Sequence, residues 1–258
     1  MDTIVRLAQS VEIQKEEIEL VVSTEDQNLA TSLSTLELPW KVVTSERPGL
    51  SAARNAGLEA ARGDRVAFVD DDARLDSCWS ASAVRALKAF PEAAGITGKI
   101  VPDFECVDDF LTFPRSLYWI IGCTAPFDVS PYGHGANMVF RRVAIGDTRF
   151  DERFGSVSES RNVRLAEDVD FQLRVGPMAY FEGMAVSHWV PHSRCTTAYA
   201  RKYAFGQGKV EVRYRSEGKV PERPGRVWRI VSDRRRLLLR VEVLLWGAAG
   251  VLEASLFE

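Results

Sequence analysis

Three consecutive aspartates, Asp70, Asp71 and Asp72, follow directly on a short run, Arg65 to Val69, that is apolar from Val66 onward. Side chains alternate along an extended chain, so Asp70 and Asp72 are expected to face one way and Asp71 the other. Carboxylates crowded at the carboxyl end of a strand sit where open α/β sheets take their ligands. They repel one another unless a cation relieves the charge. Oxygen ligands suit Mg2+ or Mn2+, ions that also coordinate a diphosphate. A metal held there stabilises the charge that builds on a departing nucleoside diphosphate. The same residues also fit a solvated acidic loop or the acidic start of a helix, and the triplet alone does not separate these readings.

The elements that must position such a site are legible in the alternation of short apolar runs with helical patterns, which predicts a sheet covered by helices. Strands are expected at Ile18 to Val22, Lys41 to Thr44, Arg65 to Val69, Ala93 to Val101 and Asn137 to Arg141. Between Gly49 and Arg62, residues Leu50, Ala53, Gly57, Leu58 and Ala61 recur at helical spacing, with Gly63 expected to end that helix. Further helices are expected over Ser77 to Phe90, Glu167 to Val175 and Thr196 to Gly206, and a long one from Val227. No repeat, low-complexity tract or linker interrupts the chain.

Composition narrows the class. The chain of 258 residues is 46% hydrophobic and 27% charged, with a net charge of −3, as expected of a globular protein with a sizeable core. Its pI near 5.8 provides no basic field to recruit nucleic acid. Cys78, Cys106, Cys123 and Cys195 form no CxxC pair, which argues against a zinc site or a disulfide framework and suggests a reducing compartment. Met1 to Gln9 lacks a basic start with an apolar run behind it, so no signal peptide is expected. Leu237 to Leu252 is apolar but broken by Arg240 and Glu242, too short and charged for a spanning helix of about 20 residues. A cytoplasmic location is expected.

Several ordered blocks carry a resemblance. Arg47-Pro48-Gly49-Leu50-Ser51-Ala52-Ala53-Arg54-Asn55-Ala56-Gly57 is followed by Phe68 to Asp72, then Gly135-Ala136-Asn137-Met138, then Glu167-Asp168-Val169-Asp170. Together, over roughly residues 15 to 210, they resemble the family-2 glycosyltransferases. The resemblance implies a GT-A fold: an α/β, Rossmann-like, mixed and mainly parallel sheet flanked by helices. The glycosyltransferase domain would span 1–210, with a C-terminal helical extension at 211–258. The implied activity is inverting transfer of a sugar from a UDP- or GDP-sugar to a hydroxyl of a glycan or lipid-linked acceptor, assisted by Mg2+ or Mn2+.

Residue by residue, the resemblance makes Asp72 the direct metal ligand, with Asp70 beside it touching the ribose or a metal-bound water and His188 completing the metal site. Arg54, Asn55, Asp70 and Asp71 fall on the donor side. Gly135, Asn137, Glu167 and Trp119 fall on the acceptor side, and Asp168 becomes the general base. At a partly buried helix start beside Glu167, an aspartate's pKa can rise toward usefulness; stabilisation by the helix dipole is its plainer role. His188 also fits a structural histidine, and His134 and His192 are weaker ligand candidates. Arg194, Arg201 and Lys202 suit a diphosphate or a solvated helix face. Phe113, Tyr118, Trp119 and Trp189 suit a sugar, a lipid groove or the core.

Phe68 to Ala73, Tyr118-Trp119-Ile120-Ile121-Gly122 and Gly206-Gln207-Gly208-Lys209 add a resemblance to archaeal-type enzymes acting on dolichyl-phosphate-linked sugars, some of which transfer glucuronate. The chain also departs from the family: Asp2 to Val11 reads as the first helix, and the opening strand that normally precedes it is not visible. Ser23 to Asp26 lacks the usual Asp-rich turn. A truncated fragment and a catalytically inactive nucleotide- or sugar-binding homologue are therefore the alternative to an active enzyme. A nucleotidyltransferase shares the acidic-metal logic but would need a Gly-rich basic loop that is not visible. Arg226, Arg229, Arg234, Arg235, Arg236 and Arg240, interleaved with apolar residues, suit either a peripheral contact with the cytoplasmic face of a membrane or a helix packed on the domain.

Overall fold

The structure is a computed structural model that describes residues 10–11, 17–24, 29–125, 133–154 and 166–216, with 207–216 as backbone only. The chain divides into two compact units. The first comprises Met1–Pro102, Val129–Gly155 and Glu167–Trp189, the second Asp103–Asp128, Ser156–Ala166 and Val190–Glu258.

In the first unit, β1 (Leu20–Ser23) and β2 (Trp40–Val43) form a parallel pair in register from Leu20 with Trp40 to Ser23 with Val43. The short helix α1 (Leu29–Leu33) connects them. Its two buried leucines, one helical turn apart, pack on Leu20, Val22, Leu36, Trp40 and Val42. Helix α2 (Leu50–Ala60) follows and packs against both strands. The face it buries is Ser51, Ala52, Arg54 and Leu58, and Leu50, expected on the inner face, is 38% exposed. The helix also ends before the expected Gly63, at Ala61 in an extended conformation. Side chains close it instead: Lys41 donates to the Ala60 carbonyl, and Glu19 accepts the Arg62 and Gly63 N–H groups.

A five-stranded sheet runs in the order β3-β6-β5-β7-β4. Its strands are β3 (Arg65–Phe68), β4 (Ala73–Leu75), β5 (Gly95–Phe104), β6 (Met138–Arg141) and β7 (Met178–Val190). Helices α3 (Trp79–Ala89), α5 (Arg142–Ile145) and α6 (Glu167–Val175) accompany it, and α4 (Val107–Thr112) belongs to the second unit. The expected mixed sheet with flanking helices is present. Among the registers of the described residues, β1–β2 is parallel, whereas β6 runs antiparallel to β3 and β5 and β4 runs antiparallel to β7, as a mixed sheet allows. Apolar runs mark where a strand lies; they do not encode its neighbour's direction.

The core beneath the site is aromatic. Phe68, Phe140, Phe150 and Phe171 join Leu58, Val66, Met138, Ile145 and Met178 in one buried cluster. Phe150 stacks on Phe171 at 3.9 Å, and Phe68 meets Phe140, Phe150 and Phe171 edge-on.

The second unit is built on the 3-10 turns Arg115–Ile121 and His192–Cys195 and on helices α4 and α7 (Thr197–Ser216). Phe113 stacks on Tyr118, Phe104 packs on both, and Leu117, Ile120 and Ile121 are buried. The boundary expected at residue 210 falls inside α7. Most of Asp2 to Val11, Glu25 and Asp26 of the Ser23 to Asp26 segment, the side chains of Gln207 to Lys209, and the arginine-rich segment from Arg226 lie outside the described residues. Among the described residues no helix is long and apolar enough to cross a membrane.

Candidate functional site

Three separated stretches of the first unit meet around the guanidinium of Arg54. Arg54 projects from the buried face of α2, its side chain only 8% exposed. Its Nη2 donates to Asp70 Oδ1 at 2.9 Å and its Nη1 to Glu167 Oε1 at 2.8 Å. The Phe150 ring lies 5.5 Å from the guanidinium carbon, so the cation also rests on an aromatic face. Burial pulls the Arg54 pKa down, but the carboxylates of Asp70, Glu167 and Asp168 outweigh it and raise it. Arg54 is therefore a fixed positive charge. Glu167 stands in the opposite situation: burial and the neighbouring Asp168 push it up to about 7, against the pull of Arg54.

Asp70 and Asp72 leave β3 on a tight turn in which the Ala73 N–H bonds back to the Asp70 carbonyl. Asp70 and Asp72 are half-buried and Asp71 is exposed, so the expected split of the triplet is realised by a turn instead of by strand alternation. The β4–β7 register places His188 opposite Ala73, and the Trp189 N–H donates to the Asp72 carbonyl at 2.8 Å. This pairing carries the buried His188 Nε2 to 3.0 Å from Asp72 Oδ1. Asp70, Asp72 and His188 each offer a ligand atom, all within 4.8 Å of one another. Two carboxylates and an imidazole fit a divalent ion of the Mn2+ type.

Asp168 is fixed on both oxygens: Oδ2 accepts the Gly135 N–H and Oδ1 the Val169 N–H, each at 2.8 Å. Gly135 is required where it stands, because a Cβ there would lie 2.3 Å from Arg54 Nη2. Ala166, just ahead of α6, has φ 71, a left-handed backbone that is uncommon outside glycine and costly to hold.

Other expected site residues are engaged elsewhere. Asn55 exchanges two hydrogen bonds with the backbone of Phe150, and Ser51 donates to the Phe154 carbonyl, so this face of α2 anchors the 150–154 segment. Asn137 is fully buried. It donates to the Lys99 and Met184 carbonyls and accepts from Trp79 Nε1, joining β5, β7 and α3. Trp119 belongs to the second unit, where its ring meets Tyr203. Sequence reading missed Phe150 and the backbone of Ala166; the former needs a tertiary contact and the latter a dihedral, and neither leaves a local signal.

Comparison with known proteins gives a consistent result. The profile of "Glycosyl transferase family 2" matches residues 2–148. The glucosyl-dolichyl phosphate glucuronosyltransferase of Haloferax volcanii is 32% identical over 106 residues, covering 38% of this chain and about a third (32%) of that protein. Among solved structures, the mannosyltransferase PcManGT from Pyrobaculum calidifontis, in complex with GDP-Man and Mn2+, superposes with a TM-score of 0.59 at 19% identity, over 98% of this chain and 71% of that one. TarS 1–349 of S. aureus with UDP-GlcNAc does so with a TM-score of 0.53 at 16% identity, over 97% and 69%. These neighbours are GT-A glycosyltransferases, and the likeness establishes the fold.

Proposed function

The chain belongs to glycosyl transferase family 2, and from that membership we propose that it moves a sugar from a nucleoside-diphosphate donor to an acceptor hydroxyl with inversion. The observation that carries this reading is the convergence of Asp70, Asp72 and His188 within 4.8 Å of one another, beside an arginine that bridges Asp70 to Glu167. Asp70, Asp72 and His188 would hold Mn2+ or Mg2+. When bound, such an ion neutralises the diphosphate and stabilises the charge developing on the leaving group.

The remaining steps fall to the side chains. Asp168, held in one orientation by the Gly135 and Val169 N–H groups, takes the proton of the acceptor hydroxyl as that oxygen attacks the anomeric carbon. Arg54 keeps Asp70 oriented toward the metal position and holds Glu167 beside the base. Asp71, exposed at the same turn, is a donor-side contact. Asn55 and Asn137 act through positioning, the one through the Phe150 backbone and the other by joining β5, β7 and α3.

The donor is a UDP- or GDP-sugar, consistent with the nucleotide sugars bound by TarS and PcManGT. The name of the Haloferax relative motivates a dolichyl- or polyprenyl-phosphate-linked acceptor, met at the cytoplasmic face of a membrane. Exposed Val107, Phe110 and Leu111 on α4 offer apolar surface for such an encounter.

Calorimetric titration of UDP and GDP, each with and without Mn2+, into wild type and Asp72→Ala tests the donor site. Metal-dependent binding lost in the variant is expected, and its absence in wild type refutes the reading. Asp168→Asn should retain that binding while turnover falls by about 100-fold or more. Nucleotide binding without turnover in wild type would instead identify an inactive binding homologue.

A further inference from the structure

The second unit holds a cluster that the transfer chemistry does not use. β5 ends at Phe104 and β7 at Val190, and the two chains are still side by side one residue later, where the Glu105 N–H donates to the Val190 carbonyl at 3.0 Å. Cys106, two residues beyond β5, is therefore brought to His192, two residues beyond β7. The first turn of α4 then folds back through the Asp109 N–H to the Cys106 carbonyl at 3.1 Å, placing Asp109 on the same side. His192 Nδ1 lies 2.8 Å from Asp109 Oδ2. The ligand atoms of Cys106, Asp109 and His192 all lie within 4.8 Å of one another.

From this geometry we infer that Cys106, Asp109 and His192 form a second metal site, one that takes Zn2+ or a similar borderline-soft divalent ion and clips α4 to the segment following β7. The ligand set decides the ion: a thiolate and an imidazole select zinc over Mg2+ or Mn2+, which prefer oxygen. Tetrahedral zinc, with bonds of about 2.0–2.3 Å, needs ligand atoms about 3.3–3.8 Å apart, so side-chain rotations of about an ångström make the site, the 2.8 Å Asp109–His192 pair parting slightly to admit the ion. The surroundings are built for it. Asp109 is a buried carboxylate, its side chain 9% exposed, facing an imidazole that is 65% exposed, and a buried carboxylate is costly without a strong partner. Glu105 accepts the His192 backbone N–H at 2.8 Å and fixes where that residue stands, as outer partners of metal sites do. Cys106 is a free, half-buried thiol. The exposed side of His192 leaves the fourth position to water.

The test is Co2+ titration of the metal-free full chain under a non-thiol reductant, followed by its thiolate-to-cobalt charge-transfer absorption. The oxygen-and-imidazole cluster at Asp72 cannot produce that band. Wild type, Asp72→Ala and Cys78→Ser should each develop it with one equivalent of Co2+ and lose it on adding one equivalent of Zn2+. Cys106→Ser should not develop it. His192→Asn, whose amide can still donate to Asp109, should lower Co2+ affinity by more than the ~10–100-fold typical of losing an outer partner. No band in wild type, or a band unchanged in both Cys106→Ser and His192→Asn, overturns the site.

Discussion

Arg54 enters the protein interior with a charge it cannot shed, and the carboxylates around it are arranged by that fact. Replacing it with methionine keeps much of the volume but leaves Asp70 and Glu167 without their cation. Breaking a buried pair in this way costs about 3–5 kcal/mol, so Arg54→Met should lower the urea midpoint sharply at pH 8. The cost should shrink at pH 6, where Glu167 takes up a proton; an equal loss at both values would contradict this account. Glu167 gives a second, independent readout. Its folded pKa, about 7, is raised above the ordinary 4.5, so the folded state binds the proton more tightly than the unfolded chain. The resulting stability is fully present below about 4.5 and is lost as pH rises through 7, on the order of 3 kcal/mol in all. Glu167→Gln mimics the protonated form. Its melting temperature, measured with chelator between pH 5 and 8, should be flatter than that of wild type, and a parallel slope would show that Glu167 is not the titrating group.

Helix α2 shows how the same substitution changes sign with its surroundings. Gly57 lies inside the helix, and a Cβ there meets nothing within 4 Å, so Gly57→Ala should stabilise by about 0.5–1 kcal/mol through helix propensity. Gly135 lies against the guanidinium that α2 projects, where a Cβ would stand 2.3 Å from Arg54 Nη2. Gly135→Ala should therefore destabilise by about 1–3 kcal/mol, as overpacking does, and should also weaken nucleotide binding. Thermal melts of the pair decide it, and equal shifts would mean that Gly135 is not a close-approach position. What was legible in the sequence follows the same division between local and tertiary information. Glu167–Val175 and Arg65–Phe68 could be read because a helix start rich in acid and a short apolar run carry local signals. β7 was missed because Glu182 and Gly183 break its pattern, and β4 because three residues are too few to show a period. Asn55 and Asn137 stand in conspicuous sequence blocks, but which carbonyls their amides meet is tertiary information. The correct face of α2 was likewise hidden, since Ser51 and Arg54 look like surface residues until Phe150 and Phe154 arrive.

At the scale of the whole molecule, two clusters of different chemistry fall in different units: oxygen-rich Asp70, Asp72 and His188 in the first, thiol-bearing Cys106, Asp109 and His192 in the second. The units interleave along the chain, each being assembled from three separate segments, an arrangement that linker cues in a sequence do not report. The composition of each cluster makes ion identity a label for the unit it stabilises. An ion that binds only the folded state stabilises it by mass action, about 2.7 kcal/mol at a concentration 100 times its Kd. Mn2+ should therefore raise the melting temperature of wild type and of Cys106→Ser alike and leave Asp72→Ala unmoved. A nucleoside diphosphate added with Mn2+ should shift wild type by more than the sum of the separate shifts, because each ligand completes the other's coordination and the coupling is reciprocal. Zn2+ should still stabilise Asp72→Ala, since that variant keeps the thiol cluster. If Mn2+ stabilises Asp72→Ala as well as wild type, the acidic cluster is not where Mn2+ acts. Additive shifts for metal and nucleotide would instead separate the two ligands, leaving Asp70 and Asp72 without the diphosphate that their position at the end of β3 suggests.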